Sequence, residues 1–149
     1  MCRPEGDPMP VPTALDGLPL PPCAELLGFE LIDARPADGW LRARFEGRPT
    51  FCNPAGFIQG GFLAAMLDDV MGPAMFVFSE GRMFTPTIDL HVSFLAPARP
   101  GPVYAEGQVV QAGKSIAFLE GRLMDLSGAL LARGHASARL VPAGRALAA

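Results

Sequence analysis

Between Thr87 and Phe94 apolar and polar residues alternate. Ile88, Leu90, Val92 and Phe94 fall on one side of an extended chain and Asp89, His91 and Ser93 on the other, the period-2 signature of a half-buried strand. Three further runs read as strands, Val103 to Gln111, Ser115 to Asp125 and Ala129 to Leu140, broken at Gly113-Lys114 and Ser127-Gly128. Breaks that short join antiparallel neighbours. Earlier in the chain Phe29 to Arg35 and Trp40 to Phe45 flank Pro36-Ala37-Asp38-Gly39 and predict a first hairpin. Between these two groups the period changes. From Gly61 to Met71 the residues are helix formers, apolar on almost every side, with Asp68 and Asp69 as the only charges. The spacing predicts a helix buried on most sides. Pro73 either sits in a kink or begins a second helical piece through Phe78. Two strands, one hydrophobic helix and four strands make an α+β chain, an antiparallel sheet wrapped around one long helix.

The ends are different in character. Prolines at positions 4, 8, 10, 12, 19, 21 and 22 remove backbone donors, so residues 1–22 are expected as a tail or arm, followed by a helical turn at Cys23 to Leu27. The remaining expectation is one domain over residues 23–141 and a short C-terminal tail over 142–149.

Composition narrows the function classes. With 149 residues the chain fits one domain, and its apolar half suffices for a core and a subunit interface. A net charge of -3 without a clustered basic face argues against nucleic acid as a partner. Cys2, Cys23 and Cys52 are odd in number and show no CxxC spacing, which fits a reducing cytoplasm rather than a disulfide framework. The N-terminus lacks an apolar signal core, and no apolar run approaches the roughly 20 residues of a membrane span. A soluble cytoplasmic protein without membrane partner is the expectation.

Candidate chemistry concentrates where a loop opens onto the helix, at Asn53-Pro54-Ala55-Gly56-Phe57-Ile58-Gln59-Gly60-Gly61. Glycines at a helix start let free N–H groups and the positive end of the helix dipole face a ligand. An acyl oxygen gaining negative charge would be stabilised there. Taken alone, the two glycines read rather as an aid to close helix–sheet packing. Asp68 and Asp69 stand inside the most apolar helix, where a carboxylate is costly unless paired, hydrated or used. For Asp69 the expectation is a solvent-facing or capping role. Eight residues separate Gly60 from Asp68, about 12 Å along a helix, too far to act on one carbonyl carbon. Two copies with antiparallel helices would bring the helix start of one to the acid of the other.

The pattern Asn53-x-x-Gly56-x-x-Gln59-Gly60-Gly61, with Asp68 eight residues past the first glycine of the pair, continues into Thr87-x-Asp89, Phe94-Leu95-x-Pro97-Ala98 and Gly113-Lys114-Ser115. In this combination it resembles the phenylacetate-pathway (PaaI-like) hotdog thioesterases. The resemblance spans about Leu27 to Leu140 and implies a hotdog fold that hydrolyses an acyl-CoA or aryl-CoA thioester as a homodimer, paired again into a homotetramer. By position it implies that the Gly60 N–H polarises the thioester carbonyl, that Asn53 and Gln59 position substrate or water, and that Asp68 of the other subunit is nucleophile or general base. Thr87 would help hold the water, and Gly61, Gly113, Lys114 and Ser115 would meet the CoA substrate. The family commonly carries His where Gln59 stands; Gln cannot titrate near neutrality and is read as an orienting residue.

Arg82, Arg99, Arg122 and Arg133 are further phosphate candidates. His91 and His135 read as sheet-surface residues, too isolated to ligate a metal. Neither a metal nor a redox cofactor is expected, CoA entering as part of the substrate. Two rival readings stay open: a hotdog hydratase or dehydratase, which Gln59 in place of a histidine disfavours, and a non-catalytic acyl-CoA-binding protein.

Overall fold

The computed structural model describes residues 11–148. Its elements run α1 (Pro22–Leu27), β1 (Glu30–Arg35), β2 (Trp40–Gly47), α2 (Gly60–Phe78), β3 (Met83–Phe84), β4 (Thr87–Phe94), β5 (Gly101–Ala112), β6 (Ile116–Met124), β7 (Leu130–Arg139), β8 (Val141–Pro142) and α3 (Ala143–Ala146). Six strands form one antiparallel sheet in the order β1-β2-β5-β6-β7-β4. Helix α2 packs across all six of them. This is the hotdog arrangement that the sequence resemblance implied.

Alternation sets the two faces of the sheet. Leu41, Ala43 and Phe45 on β2, Val103 and Ala105 on β5, and Ala117, Leu119 and Leu123 on β6 point inward and are buried, while the residues between them face out. The helix comes close because the sheet has no side chains beneath its middle. Gly107, Gly121 and Gly134 stand directly opposite one another on β5, β6 and β7. A Cβ on Gly107 would overlap the Val70 carbonyl oxygen, and one on Gly121 would meet Met71 Cγ at 3.1 Å and Leu67 Cδ2 at 3.2 Å. The glycine row is a trough in which α2 lies.

Helix α2 is one continuous element with Pro73 inside it, so the second helical piece considered from sequence does not separate. Proline lacks the N–H that would bond the Asp69 carbonyl. Eight of the nineteen helix residues are buried, among them Leu63, Met66, Leu67, Val70 and Met71. Gly61, Ala65 and Asp68 are exposed. The helix is therefore buried on one side of a single chain rather than on most sides. By length and mean hydropathy α2 could span a membrane, contrary to the reading from apolar run length; its place against the sheet makes it the core helix of the fold.

The expected hairpin is present, with a turn of 3-10 helix at Pro36–Asp38 closed by Gly39 at φ 63°. Outside the sheet, residues expected as tails carry structure. Leu15 packs on the core, and Thr13 and Asp16 close a turn through the Thr13 N–H on Asp16 Oδ2 at 2.8 Å. Residues 1–10 of the expected arm lie outside the described residues. At the other end β8 pairs with β3, and α3 follows with Ala143 buried.

Candidate active site

Asp68 and Thr87 meet within one chain. Asp68 leaves the open side of α2, and Thr87 opens strand β4 on the face turned to the helix. The Thr87 hydroxyl donates to Asp68 Oδ1 at 2.7 Å. Both residues are exposed in the single chain, so the pair is presented rather than enclosed.

Neighbouring Asp69 behaves in the opposite way to its expected role. One helical step turns it about 100° from Asp68, into partial burial, and its Oδ2 is covered and lacks a hydrogen-bond partner among the described residues. Burial first, and the Asp68 charge second, push its pKa up to about 6. The argument that a carboxylate in an apolar helix is costly thus applies to Asp69, whereas Asp68 is the hydrated, hydrogen-bonded one.

The helix start is built separately. Phe51, Cys52 and Asn53 lead into a loop closed by the Gly56 N–H on Asn53 O at 2.9 Å and the Asn53 N–H on Phe57 O at 2.7 Å. Asn53 Oδ1 accepts from the Ala55 and Phe57 amides at 3.0 and 3.2 Å. Its carbonyl is thus engaged in the loop, and only its side-chain amide is left for a substrate or water. Gln59 is the N-cap residue of α2, makes no side-chain cap and is exposed. Its backbone carbonyl accepts from Phe62 at 2.9 Å, leaving the Gly60 and Gly61 N–H groups as first-turn donors without helical partners. The ring of Phe94, on β4, lies over Gly60: a Cβ there would sit 3.0 Å from Phe94 Cζ. Sequence reasoning placed Phe94 within the family pattern but not in the site; its parity with Leu90 and Val92 was the available signal.

Helix α2 and strand β4 therefore run antiparallel, with Phe94 against Gly60 at one end and Thr87 against Asp68 at the other. Gly60 and Asp68 are eight positions apart on the continuous helix, about 12 Å. One chain does not bring its own Gly60 to its own Asp68. The turn Gly113-Lys114-Ser115 is exposed and stands at the Thr87 end, since Ser115 O accepts from Leu140 at 2.8 Å and Thr87 is registered with Ala138 and Ala138 with Ala117.

The other candidates lie elsewhere. Arg82 Nε donates to Ser79 O at 2.9 Å at the far end of α2, and Arg99 lies over the Phe57 ring at 5.4 Å near the helix start. Arg122 pairs with Glu106 and, with Arg133, lines a cleft of about 620 Å³ on the outer face of the sheet. His91 and His135 line the same cleft. They are sheet-surface residues as read, yet not isolated: they face each other on β4 and β7 with ring centroids 5.0 Å apart. Asp89 is also on that face and accepts from the Ser137 hydroxyl and amide at 2.7 and 3.1 Å. Those bonds hold its carboxyl below the usual range. That cleft and a neighbouring one of about 420 Å³ include none of Asp68, Thr87 or Gly60.

Among solved structures the chain is similar to a phenylacetic acid degradation-related protein from Ralstonia eutropha JMP134, described as a candidate thioesterase. The two are 29% identical over 85% of this chain and 95% of that one, with a TM-score of 0.79. The PaaI protein of the phenylacetic acid degradation operon of E. coli shares the fold at 19% identity, covering 78% of this chain and 86% of its own, with a TM-score of 0.71. So does smu.793 from Streptococcus mutans UA159, solved with acetyl-CoA, at 16% identity, 76% and 89% coverage and a TM-score of 0.68. No curated protein matches the sequence. The Thioesterase superfamily matches residues 55–143, a stretch that holds Gly60, Asp68, Thr87 and Phe94, and with this match and the shared sheet-and-helix fold the chain belongs to that superfamily.

Proposed function

We propose that the protein hydrolyses an acyl-CoA or aryl-CoA thioester to the free acid and CoA, in sites shared by two copies of the chain. The observation that carries this reading is the opposed placement of the two half-sites along β4. Among the described residues that strand is one of the two outer strands of the sheet, beyond β7, and Ile88 on it is exposed. A free apolar edge is a template for pairing with another chain. Two copies paired antiparallel along β4 about a two-fold axis set the Thr87–Asp68 end of one beside the Phe94–Gly60 end of the other.

In such a site the Gly60 N–H and the helix dipole meet the oxygen of the thioester carbonyl as negative charge develops on it. Asp68 of the second copy, oriented by Thr87, either attacks the carbonyl carbon or takes a proton from the attacking water. The thiolate of CoA leaves; on the first route it leaves a mixed anhydride on Asp68 that a water then hydrolyses, and on both routes the free acid is released. Gln59, exposed and without a side-chain hydrogen bond among the described residues, would orient water or the acyl oxygen. The acetyl-CoA bound by the Streptococcus mutans protein of the same fold supports a CoA thioester as substrate, and the exposed turn at Lys114 offers a point charge to its phosphates.

The test is thiol release from a panel of acyl-CoAs. Turnover abolished by Asp68→Ala supports hydrolysis; tight binding without turnover would instead assign a binding protein. Sharing is tested by mixing inactive Asp68→Ala subunits with inactive Gly60→Pro subunits. Proline is tolerated at the first helical position and removes the donor, while its ring also displaces Phe94. Shared sites regain part of the activity, and no recovery despite demonstrated mixing would end the composite-site proposal.

A further inference from the structure

The start of α2 is closed on one side and open on the other. A Cβ on Gly60 would meet Phe94 Cζ at 3.0 Å and the two ε carbons at 3.2 and 3.4 Å, whereas one on Gly61 would meet nothing within 4 Å. The outer edge of the Phe94 ring thus covers the α-carbon of the residue whose N–H is the proposed carbonyl donor. The ring remains 54% exposed in one chain, so much of its surface is available to a ligand.

An acyl oxygen held about 2.9 Å from the Gly60 nitrogen puts the acyl α-carbon within about 5 Å of that nitrogen, allowing for the C=O and C–C bonds. That is the range in which the acyl group touches the ring. We infer that Phe94 determines acyl specificity, acting as an aromatic wall at the acyl α-carbon that admits straight or flat acyl groups and rejects α-branched ones. The ring can offer a face or an edge to a flat group, but its contact with Gly60 leaves it no room to retreat toward the helix. This inference rests on the hydrolase reading and deepens it.

Butyryl-CoA and isobutyryl-CoA have the same atoms and differ only in the branch at the α-carbon. The wild-type protein is expected to favour butyryl-CoA in kcat/KM by about tenfold or more, the scale of one misplaced methyl group. Phe94→Ala is expected to bring the ratio close to one, with Phe94→Leu between them. A ratio that stays within about twofold of wild type in a folded Phe94→Leu or Phe94→Ala variant overturns the wall, as does a wild-type protein without preference. If the wild-type protein releases no thiol from either compound, the hydrolase reading fails only when the whole panel of acyl-CoAs and aryl-CoAs is inert as well. The wall is then judged on Kd for the two ketone analogues in which a methylene replaces the thioester sulfur: a Phe94-dependent preference sustains it, and equal Kd ratios in wild type and variant end it.

Discussion

The Thr87 hydroxyl donates a 2.7 Å hydrogen bond to Asp68 Oδ1 across the gap between β4 and α2. The bond spends the one hydroxyl proton of Thr87 on one carboxylate oxygen and leaves the other, unpartnered among the described residues, to face a substrate or water. Asp68→Asn keeps the size of the side chain and removes its negative charge, so kcat is expected to fall by at least about two decades. The fold should survive, because Asp68 is exposed. A hydrogen bond to a charged group contributes about 1.5–3 kcal/mol where it is shielded and less in solvent. Thr87→Val is therefore expected to cost about tenfold in kcat, and Thr87→Ser to restore most of it. Steady-state kinetics with one acyl-CoA checks both; equal activity of Thr87→Val and wild type would remove Thr87 from the mechanism.

Gly60 and Gly61 adjoin in sequence but should respond differently to alanine. At Gly60 the new methyl meets the far edge of the Phe94 ring, and at Gly61 it meets open space. Gly61→Ala is expected to leave stability unchanged or slightly higher, since alanine is the better helix former. Its methyl can still intrude on a ligand, which would appear as a raised KM. Gly60→Ala must displace the ring, and Gly60→Ala combined with Phe94→Ala should be less impaired in stability than the sum of the single changes, a coupling expected only between touching residues. Thermal melts of the four proteins provide the cycle.

Much of this arrangement could be read in the chain, because its period is clean. Alternation in residues 88–94 identified β4, and Leu90, Val92 and Phe94 keep the predicted parity. Ile88 departs from it because the ladder with β7 shifts register between Thr87 and Asp89. The helix was legible from its apolar run, and its exposed side was not. Exposure there depends on which residues the sheet reaches, and the two adjacent aspartates fall about 100° apart on the helix. That rotation reversed their expected burial. Asn53 and Gln59 were legible as a loop leading to the helix, yet their division of labour needed coordinates: two backbone amides claim Asn53 Oδ1, whereas Gln59 stays uncommitted. The short pairing of β3 with β8 has two residues on each side and carries no periodic signal.

Asp69 should make stability depend on pH. Its carboxyl titrates near 3.8 when unfolded and is raised to about 6 in the folded chain, chiefly by burial and then by Asp68. Between those values the folded state holds the proton and the unfolded state does not. The stability contributed by protonated Asp69 is therefore complete below about pH 4 and is lost as pH rises through 6. Asp69→Asn abolishes this titration. The melting temperature of the variant relative to wild type should rise from pH 4 to pH 7 and level off above it. A difference independent of pH would mean that the carboxyl is not raised.

The glycine trough gives the sharpest test of the packing. A Cβ on Gly107 would overlap the Val70 carbonyl oxygen and lie 3.3 Å from Ala74 Cβ. The first of these is backbone, so no rotamer change relieves it; either α2 lifts from the sheet or β5 bends. Overpacking of this kind costs about 1–3 kcal/mol, and more where the backbone must move. At Gly121 the neighbours are side-chain atoms, Met71 Cγ at 3.1 Å and Leu67 Cδ2 at 3.2 Å, and methionine can adapt. Gly107→Ala is therefore expected to destabilise by about 3 kcal/mol or more and Gly121→Ala by about 1 kcal/mol, measured by urea unfolding. Lifting α2 would also shift Asp68 relative to Thr87, so any Gly107→Ala protein that remains folded should lose activity beyond its loss of folded fraction, whereas Gly121→Ala should keep kcat within about threefold of wild type.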